Sequence, residues 1–374
     1  MSNIASSAQV RRANCQLPMS WYFDPEIFAR EKMLLFDAGS NYAGHELMVP
    51  NVGDYRSLGW LDDAKVLVRS SANAGPEHAG GIELLSNVCR HRQSLLLEGR
   101  GNAQNIVCPL HRWTYDLKGK LLGAPLFPAS PCLNLPSTLL TRWNGLLFAG
   151  PRDPRKDLAD FGCSEDFDFS GYVLDRVETT NYATNWKTFV EVYLEVYHVD
   201  FLHAGLGNFA DCNNFHVRYG ECNSVQVMSA KKGLSAPGTP VYRRWQEACL
   251  SQLRGKTPKY GALWATYFPG LTLEWYPNVL IVSNLIPRSP GLTTNVVEFY
   301  YPEEIVHFEP GFIEAQKAAY AETALEDDEI CRRLDRGRRA LWQQGMDDAG
   351  PYQSPMEDTM VHFHEWLRRG LERE

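Results

Sequence analysis

From about residue 41 to 160 the chain is a series of short apolar runs cut by Gly, Pro, Asn and Asp, among them AKVLVRS, GGIELLSN, NAQNIVCPL and NGLLFAG. Runs of that length between turn formers predict a small antiparallel β-domain. Before it, Asp24-Pro25-Glu26 opens a segment whose Ile27, Phe28, Met33, Leu34 and Phe36 roughly fit a helix. The proline- and charge-rich PRDPRKD at 151–157 predicts a linker. Beyond about 165 the pattern is mixed. Residues 185–203 lack Gly and Pro and predict a helix, and strand-like runs follow at 222–229, 271–287 and 293–301. Residues 310–345 predict a long helix, acidic and then basic, and 357–369 (EDTMVHFHEWLRR) a closing amphipathic one. The fold class expected is α+β: a helical segment at 1–40 packing on the last domain, a small all-β domain at 41–160, and at 161–374 a larger domain with an antiparallel sheet covered by helices. No repeat of fixed period occurs.

Composition narrows this little. A chain of 374 residues with 44% hydrophobic and 22% charged residues suits a two-domain globular protein. A net charge of −8 speaks against a nucleic-acid partner, since Arg332-Arg333 and Arg336 with Arg338-Arg339 lie among acids and read as a solvated helix face. The opening MSNIASSAQVRRANCQLP has no apolar core of a secretory signal, and no run of about 18 apolar residues predicts a membrane span. Nine cysteines without a signal peptide point to a reducing, cytoplasmic setting in which thiols are structural, reactive or metal-bound.

The chemistry lies in two constellations. The first is Cys89-x-His91, then 16 residues, then Cys108-x-x-His111. Two thiolates and two imidazoles suit tetrahedral zinc, or a [2Fe–2S] cluster in which the cysteines hold one iron and the histidines the other. Zinc fingers usually pair like with like along the chain, whereas here each loop supplies one Cys and one His. With their flanks, CRHR at 89–92 and CPLHRWTYDLKGKLLGAP at 108–125, the loops resemble those of Rieske domains in ring-hydroxylating and related oxygenases. Arg112 departs from that family, which usually has Gly there.

The second constellation is Glu195-x-x-His198-x-x-x-x-His203, within NWKTFVEVYLEVYHVDFLH at 185–203. Histidines five apart converge on one metal only if the helix bends or ends between them. With a carboxylate from elsewhere they make a 2-His-1-carboxylate triad that leaves Fe(II) positions open for O2. The stretch resembles the catalytic iron motif of the Rieske oxygenases. That resemblance implies that Glu195 is not an iron ligand but bridges the iron of its own chain and the cluster of a neighbouring subunit. It places the third iron ligand in ALEDDEICRRLDRG at 324–337, at Asp327, with Asp328 as the alternative.

The resemblance implies a terminal oxygenase with a Rieske [2Fe–2S] cluster and a mononuclear Fe(II). Its partners would be a separate NADH- or NADPH-dependent reductase, with or without a ferredoxin, and two further copies in a homotrimer. An aromatic compound is the expected substrate; the alternative is demethylation or monooxygenation of a quaternary or tertiary amine of the betaine or carnitine kind. Trp264, Tyr267, Phe268, Trp275 and Tyr276 could wall a pocket for either, or be plain core. Two other readings stay open from the residues alone: a cluster protein that only carries or senses electrons, and a zinc-stabilised binding module.

Overall fold

The protein is described from a computed structural model, over residues 15–61, 64–72, 79–236 and 238–372. The stretch read as lacking a secretory signal lies largely outside the described residues. The chain divides into two compact units, Asp37–Lys156 on one hand and Met1–Phe36 with Asp157–Glu374 on the other.

The smaller unit is built of short strands: β1 (Asn41–His45), β2 (Asp54–Ser57), β3 (Lys65–Arg69), β4 (Ile82–Ser86), β5 (Arg100–Asn102), β6 (Ile106–Val107), β7 (Thr114–Tyr115), β8 (Leu121–Gly123), β9 (Ser137–Thr138), β10 (Thr141–Trp143) and β11 (Leu146–Ala149). They form a five-stranded sheet ordered β5-β2-β3-β4-β9 and two three-stranded sheets, β6-β7-β8 and β1-β11-β10. Val66, Val68 and Leu85 pack with Ile106, Trp113 and Tyr115, and Cys89 and Cys108 belong to the same buried cluster. Two loops carry the first constellation: one follows β4, the other joins β6 to β7.

In the larger unit, β12 (Tyr172–Tyr182), β13 (Ala210–Tyr219), β14 (Asn223–Ala230), β15 (Ala262–Tyr267), β16 (Leu271–Tyr276), β17 (Val279–Ser289) and β18 (Leu292–Pro302) make one antiparallel sheet ordered β12-β18-β17-β16-β15-β14-β13. The run expected as a single strand at 271–287 is a hairpin, turned at Pro277-Asn278 with Asn278 at φ +61°. The helices are α1 (Ser20–Phe23), α2 (Pro25–Glu31), α3 (Pro154–Asp157, at the division between the units), α4 (Trp186–Leu194), α5 (Val199–Leu202), α6 (Pro240–Gln252), α7 (Glu303–Phe308), α8 (Pro310–Gln343) and α9 (Asp358–Leu371). Side chains from α6 (Tyr242, Trp245, Cys249) and α8 (Phe312, Ala319) share a core with Ile281, Phe299 and Tyr301 of the sheet.

The N-terminal helices belong to this unit. Asp24 caps α2 by accepting from the Glu26 N–H. Glu31, at the end of α2 and fully buried, accepts from Trp186 Nε1 at 2.9 Å and from Lys187 Nζ at 2.7 Å. The Asn-Trp-Lys opening of α4 is thereby explained: Asn185 caps the helix, and its two successors lock it to α2.

Candidate metal centres and the cavity beside one of them

The two loops of the smaller unit use the same turn. The Gln93 N–H donates to the Cys89 carbonyl and the Arg112 N–H to the Cys108 carbonyl, both at 3.1 Å, with Gln93 at φ +55° and Arg112 at φ +60°. Glycine takes that conformation without strain, so the departure at Arg112 keeps the turn and adds an exposed cation. Cys89 and Cys108 are buried, while His111 reaches the surface. Burial alone would raise the Cys89 thiol, but the His91 N–H, the Tyr115 hydroxyl, the Cys108 thiol and the Arg92 N–H outweigh it, so Cys89 is held below the usual thiol range. That environment stabilises a thiolate. The His91 ring stacks on Trp113 (centroids 5.0 Å apart, planes at 5°) and stands 4.6 Å from the His111 ring. His91 Nδ1 is buried without a hydrogen-bond partner, as fits a nitrogen reserved for a metal. The nine cysteines are all free. Two buried cysteines and a pair of neighbouring imidazoles fit a [2Fe–2S] group with a separate iron for each ligand type.

In the larger unit, α4 stops at Glu195, which leaves the helix at φ −91° and ψ 133°. The short α5 then follows, with His198 at its N-cap and His203 at its C-cap. The helix expected over 185–203 is thus broken, and the break brings the two rings together: His198 Nε2 lies 3.1 Å from His203 Nε2. Asp327, from α8, sets Oδ1 at 3.0 Å from His203 Nε2 and 3.7 Å from His198 Nε2. The three ligand atoms lie within 4.8 Å of one another. Asp328 pairs instead with Arg332 one helical turn on.

The other ring nitrogens are occupied. His198 Nδ1 is 2.5 Å from Glu195 Oε1, whose Oε2 accepts the His198 backbone N–H at 3.0 Å. His203 Nδ1 is 2.6 Å from Glu326 Oε2. A carboxylate at Nδ1 fixes the proton there and leaves Nε2 as a bare lone pair, the usual arrangement around a histidine-bound metal. Two lone pairs and a carboxylate oxygen then face one another, which is unfavourable without positive charge between them. Burial would lower the His198 pKa, yet the hydrogen bonds it donates to Asp327 and Glu195 outweigh that and raise it to about 9, as expected where a proton stands in for the cation; Asp327 is buried too, but the two histidines hold it below the ordinary carboxylate value. The donor set asks for a cation and fits Fe(II) with open positions.

Beside these three residues opens a cleft of about 900 Å³, measured out to its mouth and lined mostly by apolar and aromatic groups. Of the aromatic residues singled out in the sequence, Trp264 and Tyr276 line it. Tyr267 and Trp275 do not, because neighbouring side chains of a strand point to opposite faces, and Phe268 lies beyond the end of β15. Tyr267 donates to Asp157, Phe268 packs on Phe363, and Trp275 meets Tyr260. Sequence reasoning missed two acids here. Glu326 gave no signal beyond standing next to Asp327. Glu274, in the middle of a strand, is 7% exposed and lines the cleft; an acid inside so apolar a run was the only sign of it.

Residues 169–373 match the family of the ring hydroxylating alpha subunit (catalytic domain), and residues 42–136 match the Rieske [2Fe-2S] domain. A putrescine 2-hydroxylase of Ralstonia nicotianae is 56% identical over the whole of both chains. One of Bordetella bronchiseptica is 50% identical, over 99% of this chain and 87% of that one. A quaternary ammonium Rieske monooxygenase, solved in work on carnitine oxidation by gut microbiota, shares the fold with a TM-score of 0.76 at 18% identity, over 97% of this chain and 96% of that one.

Proposed function

The chain belongs to the Rieske oxygenase family, as an oxygenase α subunit carrying its own [2Fe–2S] domain, and on that premise we propose that it hydroxylates a small aliphatic diamine of the putrescine kind. The observation that carries this is the 56% identity, over full length, to a putrescine 2-hydroxylase. The aromatic substrate expected from the sequence gives way to an amine. A buried carboxylate in the cleft wall, Glu274, is costly beside a neutral ring and favourable beside an ammonium.

The family's Rieske cluster and mononuclear iron supply electrons and O2 activation when bound. Cys89, Cys108, His91 and His111 would hold the cluster, and His198, His203 and Asp327 the single iron. This chain's part is positional. Glu195 and Glu326 orient the two imidazoles, and the apolar cleft walls keep bulk water from the reacting carbon. One oxygen atom enters a C–H bond next to an amine-bearing carbon and the other leaves as water, with electrons from an NADH- or NADPH-fed reductase.

We read the assembly as a homotrimer in which Glu195 also reaches a cluster histidine of the next subunit. The surface around the cluster loops supports this. His111 and Arg112 are exposed, and so are the apolar Leu110, Leu126 and Phe127, a composition suited to a covered face.

The test is turnover under 18O2 with a surrogate reductase, comparing aliphatic diamines, quaternary amines and aromatic acids. A diamine product with one labelled hydroxyl is expected. Labelled product from the aromatic acids alone would overturn the reading.

A further inference from the structure

A buried carboxylate is normally paired, because an unpaired charge out of water is expensive. Among the described residues Glu274 has no Lys, Arg or His partner. Its one hydrogen bond comes from the Tyr276 hydroxyl, at 2.8 Å to Oε2. That hydroxyl in turn accepts from Trp264 Nε1 at 2.9 Å. The relay leaves Tyr276 no proton to give elsewhere, and it fixes the carboxylate against the sheet.

The sheet register says where Glu274 points. It stands directly opposite Trp264 on β15 and Ile281 on β17, so the three share a face. Two residues away on its own strand, Thr272 and Tyr276 share that face too, and both line the cleft. This is the face toward α4, α6 and α8, which bring Tyr193, Trp245 and Asp327 to the same space. Trp245 and Tyr276 meet edge to face with centroids 5.2 Å apart. The carboxylate therefore sits in an aromatic recess that opens on the same cleft as the iron ligands.

We propose that Glu274, backed by Tyr276 and walled by Trp264 and Trp245, is the ammonium-binding subsite of this cleft and sets its selectivity for amines. The inference rests on the amine reading above and adds the group that recognises the amine. A primary ammonium supplies what the recess lacks. It gives an N–H donor to the carboxylate, a charge that offsets the buried anion, and a cation for the indole and phenol faces. Burial chiefly, with some help from the Asp327 charge and against the Tyr276 hydrogen bond, holds the empty Glu274 up at about 7. An ammonium beside it would favour the ionised form. Amine anchoring at one fixed point also holds a nearby methylene at a set distance from the iron ligands, which is how a flexible chain would be oxidised at one carbon.

The direct test is Glu274→Gln in the holoenzyme, a change that keeps the shape and the acceptor for Tyr276. KM for 1,4-diaminobutane is expected to rise about tenfold to a hundredfold, the worth of a hydrogen bond to a charged group, with iron content and cluster absorbance unchanged. Unaltered diamine kinetics in that variant overturn this inference and leave the proposed function standing. A wild-type enzyme that neither binds nor oxidises any diamine overturns both. A second measurement needs no variant. Butylamine is expected to inhibit diamine turnover at concentrations at which 1-butanol does not, and equal inhibition by the two would overturn the subsite.

Discussion

At the scale of single residues, each histidine of the proposed iron triad is held at Nδ1 by a carboxylate, His198 by Glu195 and His203 by Glu326. Cys89, His91, Cys108, His111, His198 and His203 stand in short, chemically distinctive spacings. Asp327 came from resemblance, since nothing local separates it from Asp328; the structure separates them by what each touches, the histidines or Arg332. Glu326 bonds a ring 123 positions away, and Glu274 shows its meaning only once the sheet faces are known. Such contacts leave no periodic trace. Glu326 carries a prediction of its own. Without it the His203 ring loses its orienting acceptor, so Glu326→Ala is expected to weaken retention of the single iron about 10- to 100-fold, read by competition with a chelator while the cluster absorbance stays. Unchanged retention would mean that Glu326 is a bystander.

At the scale of elements, segments with a strong apolar period were legible and those without one were not. The long α8, the closing α9 and the strands at 223–230 and 292–302 lie close to where they were expected. β12 and β13 were missed because they are the outer strands of the sheet, half exposed and rich in polar residues, with irregular register. α6 was missed as well. The break after α4 was posed by the five-residue histidine spacing, but its place at Glu195 was not legible. What fixes α4 is its first turn. Asp335 of α8 accepts the Asn185 N–H at 2.6 Å and the Thr188 hydroxyl at 2.5 Å, and the fully buried Glu31–Lys187 pair ties the same turn to α2. Cutting that pair on one side strands a buried ammonium. Glu31→Ala is expected to cost about 3–5 kcal/mol of stability in denaturant unfolding, and Glu31→Leu with Lys187→Met to recover most of it. A loss under about 1 kcal/mol in the single variant would show that the pair does not hold the helix.

At the scale of the whole molecule, the division of labour follows the division of the chain. One unit brings together two buried cysteines and two histidines, one of them exposed, and the other gathers two imidazoles and a carboxylate beside an aromatic cleft. Among the described residues no helix is long and apolar enough to cross a membrane. Glu195 belongs to the catalytic unit through His198, and in the proposed trimer it also serves as the link between electron store and O2 site. The measurement that bears most directly on this picture is iron against labile sulfide per chain, in wild type, Asp327→Ala and Glu195→Gln. Iron in excess of sulfide is expected in the wild type, parity in Asp327→Ala with its O2 uptake lost, and the wild-type excess in Glu195→Gln despite turnover slowed by orders of magnitude. Zinc in place of iron and sulfide, an excess that survives Asp327→Ala, or full turnover in a metal-replete Glu195→Gln would contradict it.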